Sequence, residues 1–229
     1  MAKKKSTDFF DSPIWDFIEM AGKNIGINLL FVAACIPIVT IGPACCGLFS
    51  AIRYYVRKDS MFEGFKKGFT TNIWRMMIIW IIGAVITLYF GLIIFDIAKH
   101  FKTEYLVDLI FPSLICAVCI SFLTATVVYN VYFPRKMIDL LTESAAFVFR
   151  APLQVFISGI LFCAPIVAFG PFFDYLFDPL IIVVVIAIYF VLVALGATIL
   201  LKNPLIKVLN EKRASGEFPP LRKDEEEEL

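Results

Sequence analysis

The sequence predicts an all-α fold, a polytopic bundle of membrane helices in which four full transmembrane helices follow an N-terminal helical hairpin broken by proline and glycine. Three observations carry this. Hydrophobic residues fill 60% of 229 positions, against roughly 45–50% in a soluble domain. Charged residues make up only 18% and cluster between long stretches that carry none. Those stretches reach the roughly 20 residues that a helix needs to cross a hydrocarbon core, and lipid accepts apolar surface that one soluble core of this length could not hide. A formal net charge of +1 removes any bulk electrostatic case for nucleic acid.

The N-terminus comes first. Lys3, Lys4 and Lys5 precede an apolar run containing Val32-Ala33-Ala34-Cys35, which superficially resembles a lipoprotein cleavage box. The intervening Asp8, Asp11, Asp16 and Glu19 make the leader too long and too acidic for a signal peptide, so no cleavage is expected. Asp11-Ser12-Pro13 reads as a helix start, with a capping side chain and proline just inside. Ile14, Trp15, Phe17 and Ile18 give that helix an apolar side, as in an interfacial helix leading into the membrane.

The first apolar stretch, Ile25–Ile52, is charge-free but interrupted by Pro37-Ile38-Val39-Thr40-Ile41-Gly42-Pro43. A straight helix over it would be about 42 Å long, too long for one untilted pass. Lys/Arg-rich short loops stay cytoplasmic. Lys23 and the N-terminal lysines lie on one side of this stretch, and Arg53, Arg57, Lys58, Lys66, Lys67 and Arg75 on the other. It therefore starts and ends on the same side, which predicts a hairpin over residues 25–56. Its limbs, Ile25–Val39 and Ala44–Val56, would carry apolar lengths of about 12–13 residues, or about 18–20 Å. Pro43 would open the second limb at its first helical position, with Gly42 at the cap.

The four full crossings are expected at residues 73–95, 109–133, 152–173 and 179–201, free of Asp, Glu, Lys, Arg and His apart from Arg75. Arg135, Lys136 and Arg150 mark the loop before Pro152 as cytoplasmic. The connection around Asp174 and Asp178 has no basic residue and belongs outside, as does the mixed segment Asp96–Asp108 by alternation. Residues 1–209 then form a single membrane domain with both chain ends cytoplasmic. Residues 210–229, with Pro219-Pro220 and Glu225–Glu228, read as a flexible acidic tail.

The broken segment recurs. Cys35-Ile36-Pro37-Ile38-Val39-Thr40-Ile41-Gly42-Pro43 matches Cys163-Ala164-Pro165-Ile166-Val167-Ala168-Phe169-Gly170-Pro171 at six of nine positions. In the second copy it ends a rising helix before an outside turn, and the same part for the first copy gives the hairpin again. Backbone freed by the prolines must be buried in protein or line a polar cavity. Facing broken helices mark substrate sites in many transporters, which makes Pro37, Thr40, Gly42, Pro43, Pro165, Gly170 and Pro171 candidate site residues. A packed bend is the favoured alternative, because no intramembrane charge accompanies the motifs.

In the first cytoplasmic loop, Phe62, Phe65 and Phe69 alternate with Lys66 and Lys67 in a second amphipathic stretch that could lie on anionic lipid or dock a partner, lipid alone being favoured. Among the polar residues within the helices, Ser121, Thr124 and Thr126 could join helices by hydrogen bonds. Cys116-x-x-Cys119 could be a redox pair, but all six cysteines lie in apolar stretches, where packing is their usual part. A single histidine, His100, excludes a histidine cluster. No phosphate-binding glycine loop, nucleophile elbow or HExxH is present. No catalytic residue, metal or cofactor is expected, nor is an enzyme.

At Asn28-Leu29-Leu30, Pro37–Ala44 and Tyr132-Phe133-Pro134-Arg135 the chain resembles the YesL-like family of bacterial integral membrane proteins (domain of unknown function 624). The Phe62–Phe69 loop and Asn72-Ile73-Trp74-Arg75 are similar too, and the resemblance covers most of Ile14–Leu209. It implies an uncharacterised multi-pass protein of the cell membrane, often encoded near sugar-uptake transporters in Gram-positive bacteria, with no known catalytic residues. The first expectation is a non-enzymatic accessory or regulatory component associated with carbohydrate ABC transport, with the lipid bilayer and sugar ABC transporter subunits as partners. The alternative is a small-solute transporter or permease subunit with its site at the two broken-helix motifs. Glu143-Ser144-Ala145-Ala146 faintly resembles the loop by which permeases contact their ATPase, but lacks the following glycine.

Overall fold

The computed structural model describes residues 13–57, 59–99, 106–133, 135–161 and 179–216. Every regular element among them is helical. Helix α1, described over Pro13–Cys35, runs without a break into the first apolar limb, so the segment expected to be interfacial and that limb are one helix. It stops where Pro37, lacking an N–H, leaves the Ala33 carbonyl without its helical donor. Ile36 N–H takes that carbonyl instead at 3.3 Å. A 3₁₀ turn (Ile38–Thr40) then leads into α2 (Ile41–Val56).

Helix α2 starts at Ile41, two residues earlier than the expected start at Pro43. Proline is tolerated there because first-turn N–H groups have no intrahelical partner. The limbs are also longer than their charge-free cores. Helix α1 has 23 residues, and α2 with its lead-in (Ile38–Val56) has 19. Arg53 extends the second limb by snorkelling, its Nη1 donating to the Val131 carbonyl at 2.9 Å and its guanidinium lying 4.9 Å over the Tyr132 ring.

Both limbs return to one element, α3 (Met61–Thr70). A Cβ built on Gly26 of α1 would lie 2.9 Å from the Phe62 ring, and one on Gly64 would lie 2.8 Å from Tyr54 of α2. The hairpin predicted from loop charge is thus present in the packing. Asn72 turns the corner into α4 (Ile73–Lys99) with φ of 58°, a left-handed conformation that asparagine accepts more readily than most residues.

Helices α4 and α5 (Leu106–Tyr132) pair with each other, and α4 turns a broad apolar face (Trp74, Val85, Leu88, Leu92, Phe95) outward. Helix α6 (Met137–Arg150) stands where a loop was expected and meets α7 (Pro152–Leu161) at 103°. Beyond Leu161 the expected 152–173 crossing lies outside the described residues. Helix α8 (Pro179–Ala214) continues without a break through Pro204, so its last turns occupy residues 210–214, where the tail was expected to begin.

Helix α2 sits at the centre, packed against α1, α3, α4, α5 and α8. Ala44, Cys46, Leu48, Ala51 and Ile52 belong to one core with Ile27, Met76, Val128, Leu140, Val155 and Ala197. By length and composition, residues 38–56, 73–97, 108–132 and 189–214 each suffice to cross a membrane, and the chain is an all-α, multi-pass membrane bundle.

Candidate functional site

At the bend, the carbonyls of Ala33, Ala34, Pro37 and Ile38 each have a donor within the chain. Thr40 folds its hydroxyl back rather than capping α2, so Oγ1 lies 2.6 Å from the Ala34 carbonyl and 2.7 Å from that of Pro37. Its one proton serves these two acceptors in turn. Thr40 N–H also donates to Pro37, and Trp80 Nε1 reaches across from α4 to the Ile38 carbonyl, both at 2.9 Å.

Gly42 has a different task. A Cβ there would fall 2.7 Å from Trp80 Cβ and 2.8 Å from the Met76 carbonyl. The residue is glycine because α2 and α4 touch at this point. Pro43 is buried beside it. The first motif is therefore a satisfied, packed bend.

Pro165, Gly170 and Pro171 lie outside the described residues, so the second motif is seen only at its lead-in. There the Leu161 carbonyl accepts the Tyr189 hydroxyl at 2.7 Å. Pro165, four residues on, has no N–H to offer it in any conformation.

The amphipathic loop is α3, and its apolar face is spent on α2. Phe65 is 3% exposed and Phe69 stacks on it at 6.1 Å. Glycines make the contact tight: a Cβ on Gly68 would lie 2.4 Å from Ser50 Cβ and 2.5 Å from the Cys46 carbonyl. Phe62, Glu63, Lys66 and Lys67 remain on the outward face. Lys67 Nζ sits 5.8 Å above the Tyr54 ring. Of the residues predicted for docking, Lys66 and Lys67 are thus exposed, Phe62 is half-exposed beside Gly26, and Phe65 is buried.

The polar residues within the helices, among them the Ser121, Thr124 and Thr126 expected to join helices, divide by type. Ser121, Thr124, Thr126, Ser158 and Thr198 each donate to the carbonyl four residues back in their own helix. Those bonds do not join helices. Asparagines do, because a primary amide can donate and accept at once. Buried Asn28 accepts the Val191 N–H at 3.0 Å, joining α1 to α8. Asn72 Nδ2 donates to Asn130 Oδ1 at 3.0 Å, and Arg75 Nη1 donates to Asn72 Oδ1 and to the Arg135 carbonyl.

A second polar cluster closes α6 against α8. Glu143 Oε2 accepts the Tyr129 hydroxyl and, at 2.6 Å, Lys212 Nζ. The lysine is also 5.7 Å from the ring centroids of Tyr129 and Phe133. Partial burial pushes the Glu143 carboxyl up, but the hydrogen bonds from Lys212 and Tyr129 and the nearby cations outweigh it, and the group is held below its ordinary value. Arg150 pairs with Glu211 at 2.7 Å on the exposed side. Between the two pairs lies a cavity of about 290 Å³ lined also by Phe147, Val208 and Ser215.

Nothing in the sequence paired Glu143 with Lys212, which are 69 residues apart. Among the described residues no group of three or more His, Cys, Asp or Glu is arranged to hold a metal ion. Cys116 and Cys119 are free thiols, with Cys116 Sγ 3.7 Å from the Thr87 carbonyl.

No curated protein and no solved structure matches the chain. The hairpin, α3 and most of α4, residues 25–97, match the family model DUF624, described as a protein of unknown function.

Proposed function

We propose that this is a non-enzymatic, YesL-like accessory or regulatory component of the cell membrane, associated with carbohydrate ABC transport and docking its partner through α3. The observation that carries the reading is the seating of α3. Gly64 and Gly68 press the helix onto α2, and Phe65 is consumed in the core. Its outward face of Phe62, Glu63, Lys66 and Lys67 is therefore held rigidly before any partner arrives. Such preorganisation lowers the entropic cost of association, and mixed charges around one aromatic suit a protein surface. By the positive-inside rule, the basic residues of α3 and the α5–α6 link support a cytoplasmic setting for this end of the bundle and, with the basic residues near them in sequence, for both chain ends. That is the side on which a transporter's ATPase works.

The permease alternative receives less support from the bend. The carbonyls that a solute or ion would use there are occupied by Thr40 and Trp80.

The test is affinity purification of the tagged chain from native membranes. Sugar-transporter permease or ATPase subunits are expected to co-purify with the wild type and to be lost from a Lys66→Glu, Lys67→Glu variant of unchanged melting temperature. Recovery without any transporter subunit would overturn the proposal.

A further inference from the structure

Helix α6 has two outward flanks of opposite character. Ile138, Ala145 and Phe149, spaced seven and eleven residues from the first, fall on one flank of a 3.6-residue helix. Ile138 is 79% exposed and Phe149 is 85% exposed. Asp139, Glu143 and Arg150, spaced four and eleven residues from the first, fall on the other flank. Its core flank is Leu140, Ser144 and Phe147. The charged flank is the one clamped to α8 through Glu143–Lys212 and Arg150–Glu211. On the apolar flank Ile138 and Phe149 are left largely uncovered by the described residues, and Ala145 between them is half-buried.

Position decides what covers it. Helix α5 ends at Tyr132 and α7 begins at Pro152, directly after Ala151, so α6 is tethered closely at both ends to apolar helices. It lies at 103° to α7. Glu143 and Phe147, in the middle of α6, pack on Tyr129 within one turn of the end of α5, so α6 lies at that end of the bundle. Lys136 stands exposed at its start. A split polar and apolar exterior of this kind is the signature of an interfacial helix.

We infer that the Ile138–Ala145–Phe149 flank of α6 is a lipid-binding surface, seated in the boundary between acyl chains and anionic headgroups, with Lys136 on the phosphates. The surface is independent of the α3 docking face, and its test leaves that reading untouched.

The experiment reconstitutes the full chain in vesicles of phosphatidylethanolamine and phosphatidylglycerol. Nitroxide labels are placed singly at Ile138→Cys, Phe149→Cys and Asp139→Cys in a chain whose native cysteines are replaced by serine or alanine. Labels at 138 and 149 are expected to collide with oxygen in preference to a water-soluble nickel complex, and the label at 139 to show the reverse. Equal nickel access at 138, 139 and 149 would overturn the inference. Because replacing buried Cys46 can unfold the chain, Phe149→Trp in the otherwise unaltered protein gives a second measurement. Its added emission should be largely lost in lipids brominated near the headgroup and spared by aqueous acrylamide. The opposite pattern would also overturn the inference.

Discussion

Trp80 Nε1 donates to the Ile38 carbonyl at 2.9 Å, while the same residue's Cβ stands where a side chain at position 42 would have to go. One aromatic on α4 thus satisfies the bend that Pro37 makes and fills the space that Gly42 leaves. The contact turns a proline-broken segment from a backbone liability into a fixed corner, and it lies within the segment that matches the family model.

Trp80→Phe keeps most of the packing and removes the donor, leaving the Ile38 carbonyl unserved. A loss of about 0.6 kcal/mol, and no more than about 1.7 kcal/mol, is expected, the average and the maximum for hydrogen bonds within a membrane bundle. Thermal unfolding in detergent measures it, and Trp80→Leu should cost more because most of the indole's packing goes as well, although the Cβ that meets Gly42 remains.

Glycine substitutions separate contact from freedom. Gly42→Ala and Gly68→Ala each drive a methyl into a backbone carbonyl, at 2.8 Å and 2.5 Å, and backbone yields less readily than a side chain tip. Each should destabilise by about 1–3 kcal/mol or more, as over-packing does. Gly91→Ala, with nothing within 4 Å, should raise stability by up to about 1 kcal/mol through helix propensity. The order of the three melting temperatures checks the argument.

The membrane helices were legible because lipid demands long charge-free runs: α4 begins at the expected Ile73, and α5 ends at Tyr132, one residue before the expected end. The hairpin was legible because Lys23 and Arg53–Arg75 bracket Ile25–Ile52 with the same sign. Other features depend on contacts that a linear reading does not contain. Gly42 needs Trp80 to explain it, and Phe65 became core once Gly64 and Gly68 let α3 close on α2. Ser121, Thr124 and Thr126 bond within their own helix because a short hydroxyl reaches the carbonyl one turn back. The longer Asn28 and Asn130 amides reach a neighbouring helix. Helix α6 read as a loop because 14 residues with scattered charge carry no transmembrane signal.

Glu143 should give the bundle a pH-dependent element of stability. Its folded value lies below its ordinary value of 4.5, so the contribution is complete above about that pH and is lost as pH falls through the lower folded value. At neutral pH Glu143→Gln should cost about 1–3 kcal/mol, between an exposed ion pair and a buried one. Wild type and variant should converge as pH falls through the carboxyl's lowered folded value, a difference curve that unfolding at a series of pH values measures. A difference that grows in acid would contradict the Lys212–Glu143 pairing.

The hairpin itself is open to direct test through its two ends. Gly26 of α1 meets Phe62, and Tyr54 of α2 meets Gly64, so the chain enters and leaves the first apolar stretch beside the same ten-residue helix. Single cysteines at Asn24 and Arg57, in a cysteine-free background, should react with a membrane-impermeant maleimide from the same side of sealed vesicles. A cysteine at Ile41, one helix-length away at the start of α2, should not react from that side. Labelling of positions 24 and 57 from opposite sides would require α1 and α2 to form one kinked crossing. That arrangement is incompatible with α3 touching both limbs, because a ten-residue helix spans only about 15 Å, half the hydrocarbon thickness.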